Sequence, residues 1–219
     1  MKDGRVIAIG DVHGEVSKLE KLISKLALTQ EDELVFLGDY IDRGEDSKKT
    51  LEALLNLRDY HKCTFLMGNH EDMMVDAYRF GSQGMANMWL QNGGSKTLRD
   101  FGSDVPEKYL QWAAALPTLY STQEAHFVHA GLRLCQPAEQ SLRSDRLWSR
   151  YFLQTDYQWD RRVVCGHTIQ QSGQPLVKPN LICIDTGSFL PGLPQTALVI
   201  ETEEIGGENC TVWSFVQAL

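Results

Sequence analysis

Apolar and polar positions alternate along the first third of the chain in a regular rhythm. Short apolar bursts at residues 5–9, 34–37 and 63–67 are separated by longer amphipathic stretches at 17–26 and 47–57. Bursts of that length read as strands and the stretches between them as helices, so the order is strand, helix, strand, helix, strand. Within 17–26, Leu19, Leu22, Ile23 and Leu26 fall three and four apart, while Lys18, Glu20, Lys21 and Lys25 occupy the other side. This is the pattern of a helix with one apolar face laid on a sheet. Residues 71–116 read as mostly helical and are interrupted by Gly81, Gly84, Gly93, Gly94 and Gly102, which predicts a helical insertion over the sheet. Strand-like runs return at 119–121, 126–129, 163–165, 181–184, 196–200 and 210–215. Their frequent turns predict a second, antiparallel or mixed sheet. The acidic, glycine-containing segment 201–208 reads as an exposed hairpin loop.

A chain of 219 residues without a Pro/Ser-rich linker or internal repeat is expected to form one domain over its whole length, 1–219. An apolar fraction of 42% and a charged fraction of 23% place it among ordinary folded proteins. The net charge of −8 and the lack of any Lys/Arg stripe argue against nucleic acid as a partner. The apolar run at 6–9 is too short for a signal or a membrane span, so the expected location is cytoplasmic, with no membrane partner. Cys63, Cys135, Cys165, Cys183 and Cys210 are odd in number and widely spaced, and most lie in apolar runs. They read as buried free thiols, not as a disulfide framework or a zinc site.

Chemistry enters where the strand-like runs stop. The first ends in Gly10-Asp11-Val12-His13-Gly14, the second in Gly38-Asp39-Tyr40-Ile41-Asp42-Arg43-Gly44 and the third in Gly68-Asn69-His70-Glu71. Later runs end in His129-Ala130-Gly131 and Gly166-His167-Thr168. Ligand sites form beyond strand ends in sheets with such connections, where glycine lets the backbone turn sharply. If residues 11–13 are extended, Asp11 and His13 share a face and can hold one ion. Each piece alone has an ordinary reading: a turn aspartate, a buried histidine, a helix-capping asparagine, a surface arginine. Independent turn residues have no reason to repeat this inventory at five strand ends. Together they form a mixed oxygen and nitrogen donor set suited to manganese, iron or zinc, and to two ions sharing a carboxylate.

These blocks resemble the GDxHG, GDxxDRG and GNHE signatures of the metallophosphoesterase superfamily and, within it, of the serine/threonine protein phosphatases of the phosphoprotein phosphatase family. Trp89-Leu90-Gln91-Asn92-Gly93-Gly94 and Leu147-Trp148-Ser149-Arg150 are similar to segments of the small bacterial and bacteriophage lambda enzymes. The resemblance spans about residues 5–187. It implies a four-layer α/β/β/α fold and two divalent metal ions, with manganese as the working metal. It also implies Asp11, His13 and Asp39 around the first ion and Asp39, Asn69, His129 and His167 around the second. Arg43 and Arg150 are candidates to hold phosphate oxygens, because a guanidinium can fork two donors onto them. His70 is the candidate proton donor to a serine or threonine leaving group, and the resemblance gives it Asp42 as its partner; a salt bridge from Asp42 to Arg43 is compatible with that role.

The implied activity is hydrolysis of phosphoserine and phosphothreonine in phosphoprotein substrates by a metal-bridging hydroxide, with phosphotyrosine and phosphohistidine as possible further substrates. The alternative within the superfamily is a dinucleoside tetraphosphate hydrolase. Those enzymes typically read GDxxARG and GNHD where this chain has Asp42 and Glu71. A non-catalytic metal-binding regulator would be expected to lack one of the ligands or the proton donor, and none is missing.

Overall fold

The computed structural model describes residues 4–81, 83–206 and 208–219. Two five-stranded mixed sheets form the core. The first has the order β10-β9-β1-β2-β3, with β1 (Val6–Ile9), β2 (Glu33–Phe36), β3 (Lys62–Phe65), β9 (Gln195–Ile205) and β10 (Glu208–Ala218). The second has the order β4-β5-β6-β8-β7, from β4 (Leu119–Ser121), β5 (Ala125–Val128), β6 (Arg162–Cys165), β7 (Leu176–Val177) and β8 (Leu181–Cys183). β1, β2 and β3 run parallel, as do β5, β6 and β8.

The alternation along each strand sorts side chains between layers. Ile7, Ile9, Leu34, Phe36, Ala197 and Val199 pack against the helices, whereas Ala8, Val35, Leu37, Leu198 and Ile200 point into the space between the sheets. There they meet Ala125, Phe127, Val164 and Ile182, while Val128, Val163, Cys165, Leu181 and Cys183 face outward from the second sheet. A two-residue period thus serves two apolar layers at once, which is why these strands read as continuous apolar runs.

The helical layer on the first sheet comprises α1 (Val16–Leu26), α2 (Ser47–Tyr60), α3 (Asn69–Phe80), α4 (Gln83–Trp89), α5 (Ser95–Phe101) and α6 (Glu107–Ala114). α1 buries Leu19, Leu22 and Leu26, the face expected from their spacing. The Asp46 side chain caps α2 by accepting from Lys49 N at 2.9 Å. α3 to α6 are the predicted insertion, with Met73, Met74, Val75, Trp89, Tyr109 and Ala113 in the same core as β1 and β2. The fourth layer is thin: 3₁₀ turns at Ala138–Gln140 and Tyr151–Gln154, with α7 (Arg143–Trp148) beside them.

Three sequence expectations change. The runs at 196–200 and 210–215 belong to the first sheet, because β9 pairs antiparallel with β1 and β10 pairs with β9. Residues 201–205 and 208 are strand, not loop: β9 runs on to Ile205 and β10 starts at Glu208, so the strands themselves project beyond β1, whose pairing ends at Ile200. Of the cysteines only Cys165 and Cys183 are buried; Cys63 and Cys210 are half-buried and Cys135 is exposed, and all five are free thiols. Among the described residues no helix is long and apolar enough to cross a membrane.

Candidate metal centre and active site

Six parallel strands, three from each sheet, end on one side of the molecule, and the loops leaving them carry the polar residues. The loops after β1 and β2 are laced together through their backbones: Val12 N and His13 N donate to Asp39 O at 3.0 and 2.8 Å, and Gly14 N donates to Tyr40 O at 2.9 Å. Glu71, fully buried in the first turn of α3, ties in the third loop. Its Oε2 accepts from Asp39 N at 2.9 Å and Gly68 N at 3.0 Å, and its Oε1 accepts from Tyr40 N at 2.8 Å. The reach back to Gly68 N is half of a capping box.

Asp39 stands at the centre. Its Oδ2 lies 3.5 Å from His13 Nε2, and its Oδ1 lies 3.5 Å from His129 Nε2. Two groups of donors therefore share it, His13 with His70 on one side and His129 with His167 on the other. Asn69 Oδ1 completes the second group, 3.0 Å from His129 Nε2 and 2.9 Å from His167 Nδ1, and the two ring nitrogens are 3.1 Å apart. His13, Asp39, Asn69, His129 and His167 are thus brought together. Asp11 lies beside this cluster and not within it: both of its carboxylate oxygens accept from His167 N at 3.1 Å. The segment carrying Asp11 and His13 is not extended, since His13 has φ +48°, so shared-face alternation is not what turns His13 inward.

The ring tautomers bear on what this centre can bind. His13 Nδ1 and His129 Nδ1 each donate to a backbone carbonyl, of Ile41 and Leu37, both at 2.9 Å. That leaves Nε2 of each ring as a lone pair directed at the site. Burial lowers the pKa of His13, His129 and His167, the last to about 3, so all three are neutral at pH 7. Around His129 and His167, three acceptors (Nε2, Nδ1 and Asn69 Oδ1) crowd within 3.1 Å of one another. One shared proton cannot satisfy all three, whereas one cation can, so the residues fit a divalent metal.

His70 differs from the other three rings. Its Nδ1 donates to Asp42 Oδ2 at 2.6 Å. Burial works against its charged form, but Asp39 and Asp42 outweigh that and raise its pKa. Asp42 makes no ion pair with Arg43; its carboxylate is filled by His70, by Trp89 Nε1 at 3.2 and 3.1 Å and by Thr97 Oγ1 at 2.5 Å. Arg43 points the other way, donating to His13 Nε2 at 3.0 Å and to His70 Nε2 at 2.9 Å, with its guanidinium 4.7 Å from the Phe189 ring centre. Arg150 is exposed at the rim and donates from Nη1 to His167 O at 3.2 Å.

Sequence reasoning missed Asp185, which is buried beside Asp11 and accepts from Gly187 N at 3.0 Å. Burial pushes its pKa up to about 6. The signal was present: Leu181-Ile182-Cys183-Ile184 is one more apolar run ending in an aspartate, Asp185, with Gly187 two residues on.

Comparison with known proteins identifies the family. The profile of the calcineurin-like phosphoesterase family matches residues 4–182. Serine/threonine-protein phosphatase 1 of Salmonella typhimurium is 44% identical over 90 residues, covering 41% of this chain and 38% of that protein. Serine/threonine-protein phosphatase 2 of Escherichia coli is 39% identical over 87 residues, 39% of this chain and 37% of that one. Both alignments thus span less than two-fifths of the relative's length. A crystal structure assigned provisionally to a diadenosine tetraphosphatase superposes with a TM-score of 0.70 at 20% identity, covering 97% of this chain and 94% of its own, a likeness of fold. With the family profile spanning most of the chain and the metal-ready centre at its strand ends, the chain belongs to the calcineurin-like phosphoesterase family.

Proposed function

We propose that this phosphoesterase is a protein phosphatase acting on phosphoserine and phosphothreonine, with two divalent ions, manganese in the working enzyme, and with Asp11 joining His13 and Asp39 as a ligand of the first ion. The observation that carries the reading is the buried His70–Asp42 pair at 2.6 Å. A serine or threonine alkoxide is a poor leaving group and gains about 10²–10⁴ in rate from a positioned acid. A nucleotide leaving through a phosphate oxygen needs no such help, so a charged imidazole in this place fits an alkyl ester better than a dinucleotide. Glu71 supports neither substrate class, because its carboxylate is fully buried and engaged by three backbone amides.

Bound by these residues, the cations would polarise the phosphoryl group and lower the pKa of the attacking water. Arg43 and Arg150 flank the centre and orient the phosphate oxygens. While Arg43 donates to His70 Nε2, that nitrogen cannot carry a proton. Turning the guanidinium onto the phosphate frees Nε2, and Asp39 and Asp42 then favour its protonation, so substrate binding itself arms the acid. Asp42 holds the ring through Nδ1 and keeps Nε2 aimed at the leaving oxygen.

The test is phosphate release by chelator-stripped protein reloaded with manganese, offered a phosphoserine protein or diadenosine tetraphosphate, with His70→Asn alongside. Release from the phosphoprotein that disappears in the variant is expected. A preference for the dinucleotide moves the substrate to nucleotides, and no release from either leaves a metal-binding protein without this activity.

A further inference from the structure

The helical insertion touches the catalytic pair directly. Trp89, at the end of α4, is 2% exposed and gives its indole N–H to both oxygens of Asp42. Thr97, in α5, is fully buried and gives its hydroxyl to Asp42 Oδ1 at 2.5 Å. The same Thr97 Oγ1 accepts from Asp42 N at 3.1 Å and meets Ser47 Oγ at 2.9 Å, while Ser47 Oγ accepts from Asp42 N at 3.0 Å. Every polar atom of Asp42 near this insertion therefore has a partner, and its second oxygen is left pointing at His70 Nδ1.

Between these two donors the chain passes through a kinked turn, Leu90–Gly94, at which the helices on either side meet. Its shape brings backbone onto the Asp42–Arg43 segment. Gly93 has φ +119°, and a Cβ there would come within 3.0 Å of Arg43 N and of Asp42 Cβ. A Cβ on Gly94 would lie 2.6 Å from the Trp89 ring. The two glycines thus let the turn sit against Asp42 and Arg43 and let the indole lie flat beneath it.

We infer that Trp89 and Thr97 are positioning residues for proton donation: their N–H and O–H hold the Asp42 carboxylate in the one orientation that aims His70 at the leaving group. This rests on the reading of His70 as the acid. The segment from Trp89 to Thr97 is then a cradle for the acid pair and not a wall of the substrate groove. No metal-directed atom is involved, so loss of either donor leaves the metals in place and slows only the step in which the leaving oxygen takes a proton.

Trp89→Phe keeps an aromatic ring and removes the N–H; Thr97→Val keeps the shape and removes the hydroxyl. Each is assayed with manganese on a phosphoserine peptide and on a nitrophenyl phosphate, whose leaving group needs little protonation. Loss of one charge-assisted hydrogen bond to Asp42 is expected to lower kcat on the peptide about tenfold, with KM and metal content unchanged and the aryl ester affected less than threefold or so. Thr97→Ser should restore the rate, and adding Trp89→Phe to Asp42→Asn should cost nothing more, as for residues acting through one group. Equal losses on both substrates, or loss of metal, overturn the proposal. If Trp89→Phe does not fold, the Thr97→Val and Thr97→Ser pair decides alone. His70→Asn separates the two levels: if it slows both substrates equally, the acid reading itself fails; if it is selective for the peptide and the two variants are not, only the positioning role fails.

Discussion

Glu71 offers a sharp test of how the centre is held. Its side chain is fully buried, and Asp39 N, Tyr40 N and Gly68 N all end on it, so Glu71→Ala strands three buried amides from two different loops. At about 1–3 kcal/mol for each unpaired buried donor, the gross loss is roughly 3–9 kcal/mol. Two effects reduce it. The vacated space admits water to some of the amides, and deletion relieves a carboxyl whose pKa burial and the nearby Asp39 have pushed up to about 8. The expected net loss is therefore about 3–5 kcal/mol, which for a chain of this size lowers Tm by about 6–20 °C. Glu71→Asp should fall between, because a side chain one methylene shorter can still reach Gly68 N but not the two amides across the gap. Chelator-treated protein should be used for calorimetry, so that metal binding does not contribute, followed by manganese titration of the same variants. Glu71→Ala within 1 kcal/mol or so of the parent, or with unchanged manganese affinity, would refute the claim that this carboxylate holds the loops.

Three further outcomes are expected. Asp39→Asn should strip both metals, because both donor groups share Asp39, whereas His13→Ala should lose one; elemental analysis showing two equivalents in Asp39→Asn contradicts the shared role. Manganese at a hundred times its Kd should stabilise the protein by about 2.7 kcal/mol, raising Tm by about 5–11 °C, and a flat thermal titration would mean the donors do not hold the ion. Burial alone would raise the pKa of Asp32, yet hydrogen bonds from Arg5 and Thr29 bring it down to about 2. Because the folded value lies below the unfolded one, its stabilisation is present above roughly pH 4 and is lost as pH falls through about 2. Asp32→Asn should therefore be less stable than the parent by about 1–2 kcal/mol at pH 7, after allowance for the partly exposed Arg5, and by about half that at pH 3 in urea unfolding. A gap that does not narrow with acid would assign the loss to something other than the charge.

Local pattern carried much of this architecture. The strands and helices of the first third lie within one or two residues of their predicted ends apart from the end of α2, since continuous apolar runs such as Ile7, Ala8 and Ile9 or Leu34, Val35 and Phe36 are visible in the chain itself. Sheet membership was not visible. β9 joins β1 from nearly 190 residues away, a choice made by long-range pairing that no local window contains. Residues 201–205 look like a loop because both faces of the projecting strand meet solvent, so no alternation survives. At the site, residue types at strand ends were legible and their supports were not. Trp89 and Thr97 reach Asp42 across 47 and 55 residues, and in sequence they are an ordinary aromatic and an ordinary threonine in a helical stretch.

The backbone explains why so much support is needed. His13, Asp39, Asp42, Arg43 and His167 all have φ between +48° and +73°, so five of the eight non-glycine residues with positive φ among the described residues lie in this one centre. Glycine would relieve the strain at each of these positions, but a glycine cannot present an imidazole, a carboxylate or a guanidinium. At about 1–3 kcal/mol apiece, five such residues cost roughly 5–15 kcal/mol, comparable with the whole stability of a domain. The conformations persist only because other contacts over-determine them. Asp39 O accepts from Val12 N and His13 N, Gly44 N returns to His13 O, Glu71 ties Asp39 and Tyr40 to Gly68, Thr97 and Ser47 take Asp42 N, and Asp11 takes His167 N. The loops are therefore held in shape by bonds within the protein, and the strain is met by buried amides and carboxyls, which is why polar residues as deeply buried as Glu71, Asp42 and Thr97 belong to the centre as much as the side chains that face it.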